Sequence, residues 1–194
     1  VKDDAKWITK IRTPQAGGSY SMVISDEKKS IKLENILIGE VWLCSGQSNM
    51  EMPLEGWPPN DLILNSETEI ANSKNDQIRF FTVSRDISIT EKDDCIGEWV
   101  ESSPQSSPSF SATAYFFGKK LNTELKIPIG LIHSSWGGTP AESWTNREYL
   151  ETIPEFVETL EKIDKSVPAS RQLDDWLNKL PKVFIDEKAG ENPW

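Results

Sequence analysis

Apolar and polar positions change period along this chain. Between residues 20 and 38 they alternate, in Tyr20-Ser21-Met22-Val23-Ile24-Ser25 and Ser30-Ile31-Lys32-Leu33-Glu34-Asn35-Ile36-Leu37-Ile38, on either side of the polar Asp26-Glu27-Lys28-Lys29. Period two around a polar turn predicts a hairpin, with Ala16-Gly17-Gly18 as a turn before it. Two or three strands cannot bury a core of their own. Residues 1–38 therefore read as the tail of a β-rich domain, an incomplete β-sandwich, or as strands added to the main domain.

From Gly39 onward, apolar runs replace alternation. Val41 to Cys44 reads as a short buried strand, Gln77 to Val83 as a second, and Pro128 to Ser134 as a third that is apolar through its middle, as central parallel strands are. Between the last two, Ser109 or Ser111 caps a helix over Ala112 to Leu125 whose apolar face holds Tyr115, Phe116, Leu121 and Leu125. Segments 53–75 and 84–108, rich in Pro, Asn and Ser, predict irregular chain. After Trp144 the pattern is helical, over about 146–151, 154–164 and 169–180, with Pro154 and Pro168 as separators. Strand, helix, strand with apolar strands predicts a doubly wound α/β sheet over residues 39–194, its site at the C-terminal strand ends.

Charge removes some partners. With 21 basic and 31 acidic residues the net charge is −10, which disfavours nucleic acid and anionic membrane surfaces. No apolar run approaches the ~20 residues that span a bilayer, so no membrane insertion is expected. Two cysteines make no disulfide framework: Cys44 reads as a small buried hydrophobe and Cys95 as a loop thiol. Neither a metal-ligand spacing nor a glycine-rich phosphate loop occurs, so no metal and no cofactor are expected. The chain begins at Val1 and reads as a processed or excised piece whose targeting signal is out of view.

Chemistry concentrates after the first and third strands. The run Val41-Trp42-Leu43-Cys44 breaks into Ser45-Gly46-Gln47-Ser48-Asn49, delivering a serine at a strand end, as hydrolytic α/β folds expose a nucleophile. A helix opening here would leave backbone N–H groups free beside Ser48. Ser48 fits a helix cap equally well. Met50 stands where a G-x-S-x-G elbow has its second glycine, which argues against an ordinary α/β-hydrolase. The third strand leads into Ser134-Ser135-Trp136-Gly137-Gly138-Thr139-Pro140-Ala141-Glu142-Ser143-Trp144, whose paired glycines let backbone approach a ligand or simply make a tight turn.

Together, Ser45-Gly46-Gln47-Ser48-Asn49-Met50-Glu51-Met52 and, about ninety residues later, Gly130-Leu131-Ile132-His133-Ser134-Ser135-Trp136-Gly137-Gly138-Thr139-Pro140 closely resemble the sialate O-acetylesterase family of SGNH-type carbohydrate esterases. Phe110-Ser111-Ala112 with Tyr115-Phe116-Phe117-Gly118 resembles the helix between these motifs, and the likeness covers roughly residues 17–150. It implies a three-layer α/β/α SGNH-hydrolase-like (flavodoxin-like) domain that removes acetyl esters from sugar hydroxyls. Ser48 would be the nucleophile, with the Ser48 N–H and that of Gly137 or Gly138 forming the oxyanion hole.

In that family a further donor comes from a later Gln-Gly-Glu segment and the base from an Asp-x-x-His segment. Neither occurs here, and the single histidine, His133, lies within the third strand at a position that is not the base in the family. The resemblance thus implies an N-terminal and central fragment of a longer enzyme. Eight tryptophans suit a sugar site, since an indole face packs on a sugar ring, although each serves a core as well. Trp136 and Trp144 could stack on substrate, while Trp42 reads as core. Glu51, Glu142 and Arg147 could hydrogen-bond its hydroxyls, Arg147 being a basic residue close to the second motif and weak support for a sialate carboxylate. The expected partner is an acetylated sugar or glycan, a sialate or a plant polysaccharide such as xylan, met by a secreted or periplasmic protein. A non-catalytic glycan-binding module is the competing class.

Overall fold

The computed structural model of the chain describes residues 8–88 and 92–177. They form two compact units, residues 8–86 with 93–139, and residues 87–88 and 92 with 140–177. No described helix is long and apolar enough to cross a membrane.

The first unit opens with the hairpin, β1 (Gly17–Ser25) antiparallel to β2 (Ser30–Ile38). Asp26 makes its turn, the carboxylate Oδ1 accepting from the N–H groups of Lys28 (2.7 Å) and Lys29 (2.6 Å). There follow β3 (Glu40–Gly46), α1 (Ser48–Glu51), α2 (Ser66–Ala71), β4 (Asn75–Thr82), β5 (Trp99–Ser102), α3 (Ala112–Leu125) and β6 (Ile129–Ser135). The four later strands make one sheet in the order β3-β6-β4-β5, in which β6 runs parallel to both β3 and β4. The chain returns through α3 to insert β6 between two earlier strands, so the C-terminal ends of β3, β4 and β6 share one edge.

α3 forms where the pattern places it, with Ser111 as its cap: Oγ accepts from the Ala114 N–H at 3.1 Å. Its buried stripe is Ala112, Ala114, Tyr115 and Gly118, with Leu121 packed against the core, while Phe116 and Leu125 stay exposed. Core packing centres on Phe80 stacked on Phe110 (centroids 4.0 Å apart), with Tyr115, Leu54, Ile78, Ile129 and Leu131 around them. Full burial of each such side chain contributes about 1.5–3 kcal/mol, so this cluster locks α3 and the segment before it onto β4 and β6.

Several expectations are corrected. Segment 84–108 contains β5, antiparallel to β4, so the sheet is mixed; segment 53–75 contains α2. Among the described residues the run expected to be a buried strand is an edge strand: Cys44 is buried, but Val41 and Leu43 are 61% and 68% exposed. Hydrogen-bonded position in a sheet depends on strand order, which a local apolar run does not encode. Trp42, read as core, is likewise half exposed and packs edge-on against Phe117 at 5.1 Å.

In the second unit a 3-10 turn (Ala141–Trp144) leads to α4 (Arg147–Leu150) and α5 (Pro154–Leu177). Pro168 was expected to separate two helices, yet α5 continues through it. A helix-interior proline forfeits one N–H and crowds the carbonyl four residues back, and the turns before it carry i,i+4 pairs of Glu158 with Lys162 and Glu161 with Lys165 that favour helix. Residues 178–180 of the expected helix lie outside the described residues.

Candidate active site

Parallel register assembles the site. β3 and β6 pair Cys44 with His133, Ser45 with Ser134 and Gly46 with Ser135, and the Trp136 N–H then donates to the Gly46 carbonyl at 3.0 Å. Ser48 and Gly137 each lie two residues past that last pair, so they emerge side by side. A β-carbon on Gly137 would sit 3.0 Å from Ser48 Oγ and 2.5 Å from Glu51 Oε2. Gly138 has φ +77° and open space around it, so glycine is required there by backbone conformation.

Two loops are tied together around this contact. Gln47 Nε2 donates to the Thr139 carbonyl, and Thr139 Oγ1 donates to the Trp136 carbonyl at 2.7 Å. From below, Thr113 Oγ1 donates to the Asn49 carbonyl (2.9 Å) and the Ala112 N–H to the Met52 carbonyl (2.8 Å), which seats α1 on the start of α3.

Ser48 is exposed, and its hydroxyl makes no hydrogen bond among the described residues. The capping position of α1 falls to Gln47, and Ser48 is the first helical residue. Its hydroxyl is thus available to solvent. The Ser48 and Gly138 N–H groups find no acceptor among the described residues, whereas that of Gly137 donates to Glu51 Oε2.

Sequence reasoning offered Glu51 as a partner for substrate hydroxyls and missed Arg85; in the structure both carboxylate oxygens of Glu51 are taken by protein groups. Glu51 Oε1 pairs with Arg85, three residues past the end of β4, and the Arg85 guanidinium lies 5.4 Å from the centroid of the Trp136 ring. One face of Trp136, expected to stack on sugar, is therefore already covered. The signal that could have found Arg85 is its place just beyond the second strand's C-terminal end. A cavity of about 640 Å³ lies beside these groups, lined by Glu51, Trp57, Arg85, Ser109, His133 and Ser135 among others.

His133 is 7% exposed and shares a 2.6 Å hydrogen bond between Nε2 and the Ser135 hydroxyl, with Phe110 edge-on to its ring. Burial pushes its pKa below the usual 6.5 and the Arg85 charge adds to this, while the Met50 backbone opposes both. A histidine held neutral in the fold but free to protonate when unfolded stabilises the protein above pH 6.5. That contribution is lost as pH falls from there through the folded-state value. His133→Asn is accordingly expected to flatten the fall in melting temperature between about pH 7 and 5, measured by calorimetry against the wild type. An unchanged slope would count against this account of His133.

Glu142, Trp144 and Arg147 belong to the second unit. Trp144 is 44% exposed in the 3-10 turn. Arg147 is committed within its own unit: Nη1 and Nη2 donate to Asp164 at 2.8 and 2.9 Å, and Nε to Glu151 at 2.7 Å. The Asp164 bonds, followed by the Glu151 bond, hold its pKa well above the usual arginine value. Cys44 and Cys95 are both free thiols, buried and exposed respectively.

Comparison with known proteins agrees with the motifs. No family model matches the chain. Sialate O-acetylesterases of Pongo abelii and Homo sapiens are each 32% identical to it over 158 residues, covering 75% of this chain and 29% of the relative. A crystal structure of a carbohydrate acetylesterase from Xanthomonas citri matches with TM-score 0.69 and 30% identity, over 75% of this chain and 32% of that one. The chain thus spans about 29% of the length of the curated relatives it matches. Its α/β fold is the SGNH-like fold of that acetylesterase, and by sequence it is a homologue of the sialate O-acetylesterases.

Proposed function

We propose that this chain supplies the nucleophile and part of the oxyanion hole of a carbohydrate O-acetylesterase. Ser48 Oγ attacks the acetyl carbonyl carbon, and the developing oxyanion is received by backbone N–H groups of Ser48 and the Gly137-Gly138 turn. Collapse breaks the bond to the sugar oxygen, which leaves with a proton. Water then hydrolyses acetyl–Ser48 to acetate. The observation that carries this reading is the exposed, unengaged Ser48 hydroxyl set against Gly137 by the β3–β6 register.

The base is assigned to sequence outside these 194 residues. His133 supports that assignment, because its Nε2 is engaged with Ser135 and its ring is buried. An Asp-x-x-His segment, as in the family the motifs resemble, would provide base and orienting acid. A secreted or periplasmic location would suit such a glycan substrate.

Sialate esters are the substrate class that the relatives' names suggest. One observation favours a second reading, an uncharged acetylated polysaccharide such as xylan. Arg85 and Arg147, the arginines after the second strand and beside the second motif, are already paired with carboxylates, leaving less cation to meet a sialate carboxylate.

The test is to treat the full-length protein with a fluorophosphonate and map the adduct, while measuring acetate released from an O-acetylated sialoglycan and from acetylated xylan. Labelling at Ser48 with acetate release is expected. Absence of both would overturn the esterase reading, and glycan binding without acetate release would then support the non-catalytic alternative; the ratio of the two acetate yields assigns the substrate.

A further inference from the structure

Glu51 joins three strand ends. It sits one turn after Ser48 on α1, which follows β3; Oε2 accepts from Gly137, which follows β6; Oε1 pairs with Arg85, which follows β4. Its side chain is 21% exposed and that of Arg85 49%, so the contact lies at the lip of the cavity without being sealed. A pair this exposed adds little stability. What it does is geometric.

Two consecutive glycines form the most pliant stretch of backbone a chain can present. The other ties at this turn reach its flanks: Trp136 through the Gly46 carbonyl, and Thr139 through Gln47 and the Trp136 carbonyl. Glu51 is the side chain that grips the glycines themselves. A carboxylate suits the task because it offers one oxygen to an N–H and the other to a guanidinium. Arg85, stacked on Trp136, holds the carboxylate in turn.

We propose that Glu51 is a positioning residue for deacetylation at Ser48, and the inference rests on Ser48 being the nucleophile. Its carboxylate fixes the Gly137-Gly138 turn against α1 and occupies the Gly137 N–H. That leaves the Gly138 N–H, together with that of Ser48, as the backbone donors for the ester's oxyanion. Arg85 acts through Glu51 and touches no reacting atom.

The experiment compares Glu51→Ala, Glu51→Gln, Arg85→Ala and the Glu51→Ala/Arg85→Ala double variant in the full-length protein, using an activated acetyl ester. Titration of reactive Ser48 counts the folded sites, and calorimetry gives the melting temperature. Misplacing a donor by about an ångström costs on the order of 10²-fold, so Glu51→Ala should lose about 10²-fold in kcat with KM within about threefold. Glu51→Gln should recover part of that loss, because a carboxamide oxygen still accepts from Gly137 while the charge pair with Arg85 is gone. The double variant should be no worse than Glu51→Ala alone, since both act through one contact. Wild-type kcat in Glu51→Ala overturns the inference, as does a loss accounted for entirely by fewer titratable Ser48 sites. Full activity in Ser48→Ala would instead overturn the assignment of Ser48 as nucleophile. Inactive Ser48→Ala beside unaffected Glu51→Ala would sink the Glu51 inference alone.

Discussion

Ser48→Ala in the full-length protein is expected to lower kcat toward an activated acetyl ester by about 10⁶-fold, because a nucleophile and its base act as one unit and removing either forfeits nearly the whole effect. Two other serines at these strand ends are set differently. Ser135 is 8% exposed and engaged with His133 on the same strand, and Ser45 lies in β3 opposite Ser134. KM should change little, since a hydroxyl that must be attacked through contributes little to ground-state binding. Stability should hold as well. The Ser48 side chain is exposed and makes no hydrogen bond among the described residues, and substitutions of that kind usually stay within about 0.5 kcal/mol. Steady-state kinetics with calorimetry on the same sample checks both halves. If the variant kept even a hundredth of the wild-type kcat, the covalent role would have to move elsewhere.

Some of this site was legible before any fold was known, for a physical reason that also marks the limit. Strand ends are written locally: apolar runs stop at Ser45-Gly46 and at Ser134-Ser135, and a parallel sheet brings all its C-terminal ends to one edge. Ser48 and the glycine pair could therefore be read as neighbours from their chain positions. The Ser111 cap is local too, and it holds at 3.1 Å from the Ala114 nitrogen.

What the chain does not write locally went astray. Val41 and Leu43 look buried because they are apolar, but β3 ends up with β6 on one side and no second strand among the described residues. The four residues of β5 lie in a Ser-rich stretch whose composition says loop; pairing of Trp99 with Phe81 and of Val100 with Phe80 makes the strand. Trp99 also packs on Phe81 at 5.3 Å. Glu51 and Arg85 meet across 34 residues of chain, and Glu51 meets Gly137 across 86. An acid in a short helix carries no mark of either partner. Pro168 erred the other way, as a strong local breaker overridden by the helix-forming residues before it.

The sharpest test of the assembled geometry is a single methyl group. Gly137→Ala would place its β-carbon 3.0 Å from the Ser48 hydroxyl and 2.5 Å from a carboxylate oxygen of Glu51. Glu51 is held from behind by Arg85, so it cannot retreat without giving up that pair, and Ser48 cannot retreat without leaving its attacking position. Gly137 has no positive φ, so alanine strains nothing in the backbone itself. The damage should therefore fall on kcat, by about 10²–10³-fold, the range seen when an oxyanion donor is lost, with the melting temperature nearly kept. Gly138→Ala should distribute its damage in the opposite way. Nothing lies within 4 Å of the added carbon, but φ is +77°, and a left-handed alanine costs about 1–2 kcal/mol. That strain appears first as lost stability, and in kcat to the extent that the turn relaxes away from Ser48. Measuring kcat and melting temperature for both variants reads the two glycines separately. If Gly137→Ala kept wild-type kcat, the close approach of Gly137 to Ser48 and Glu51 would have no part in catalysis.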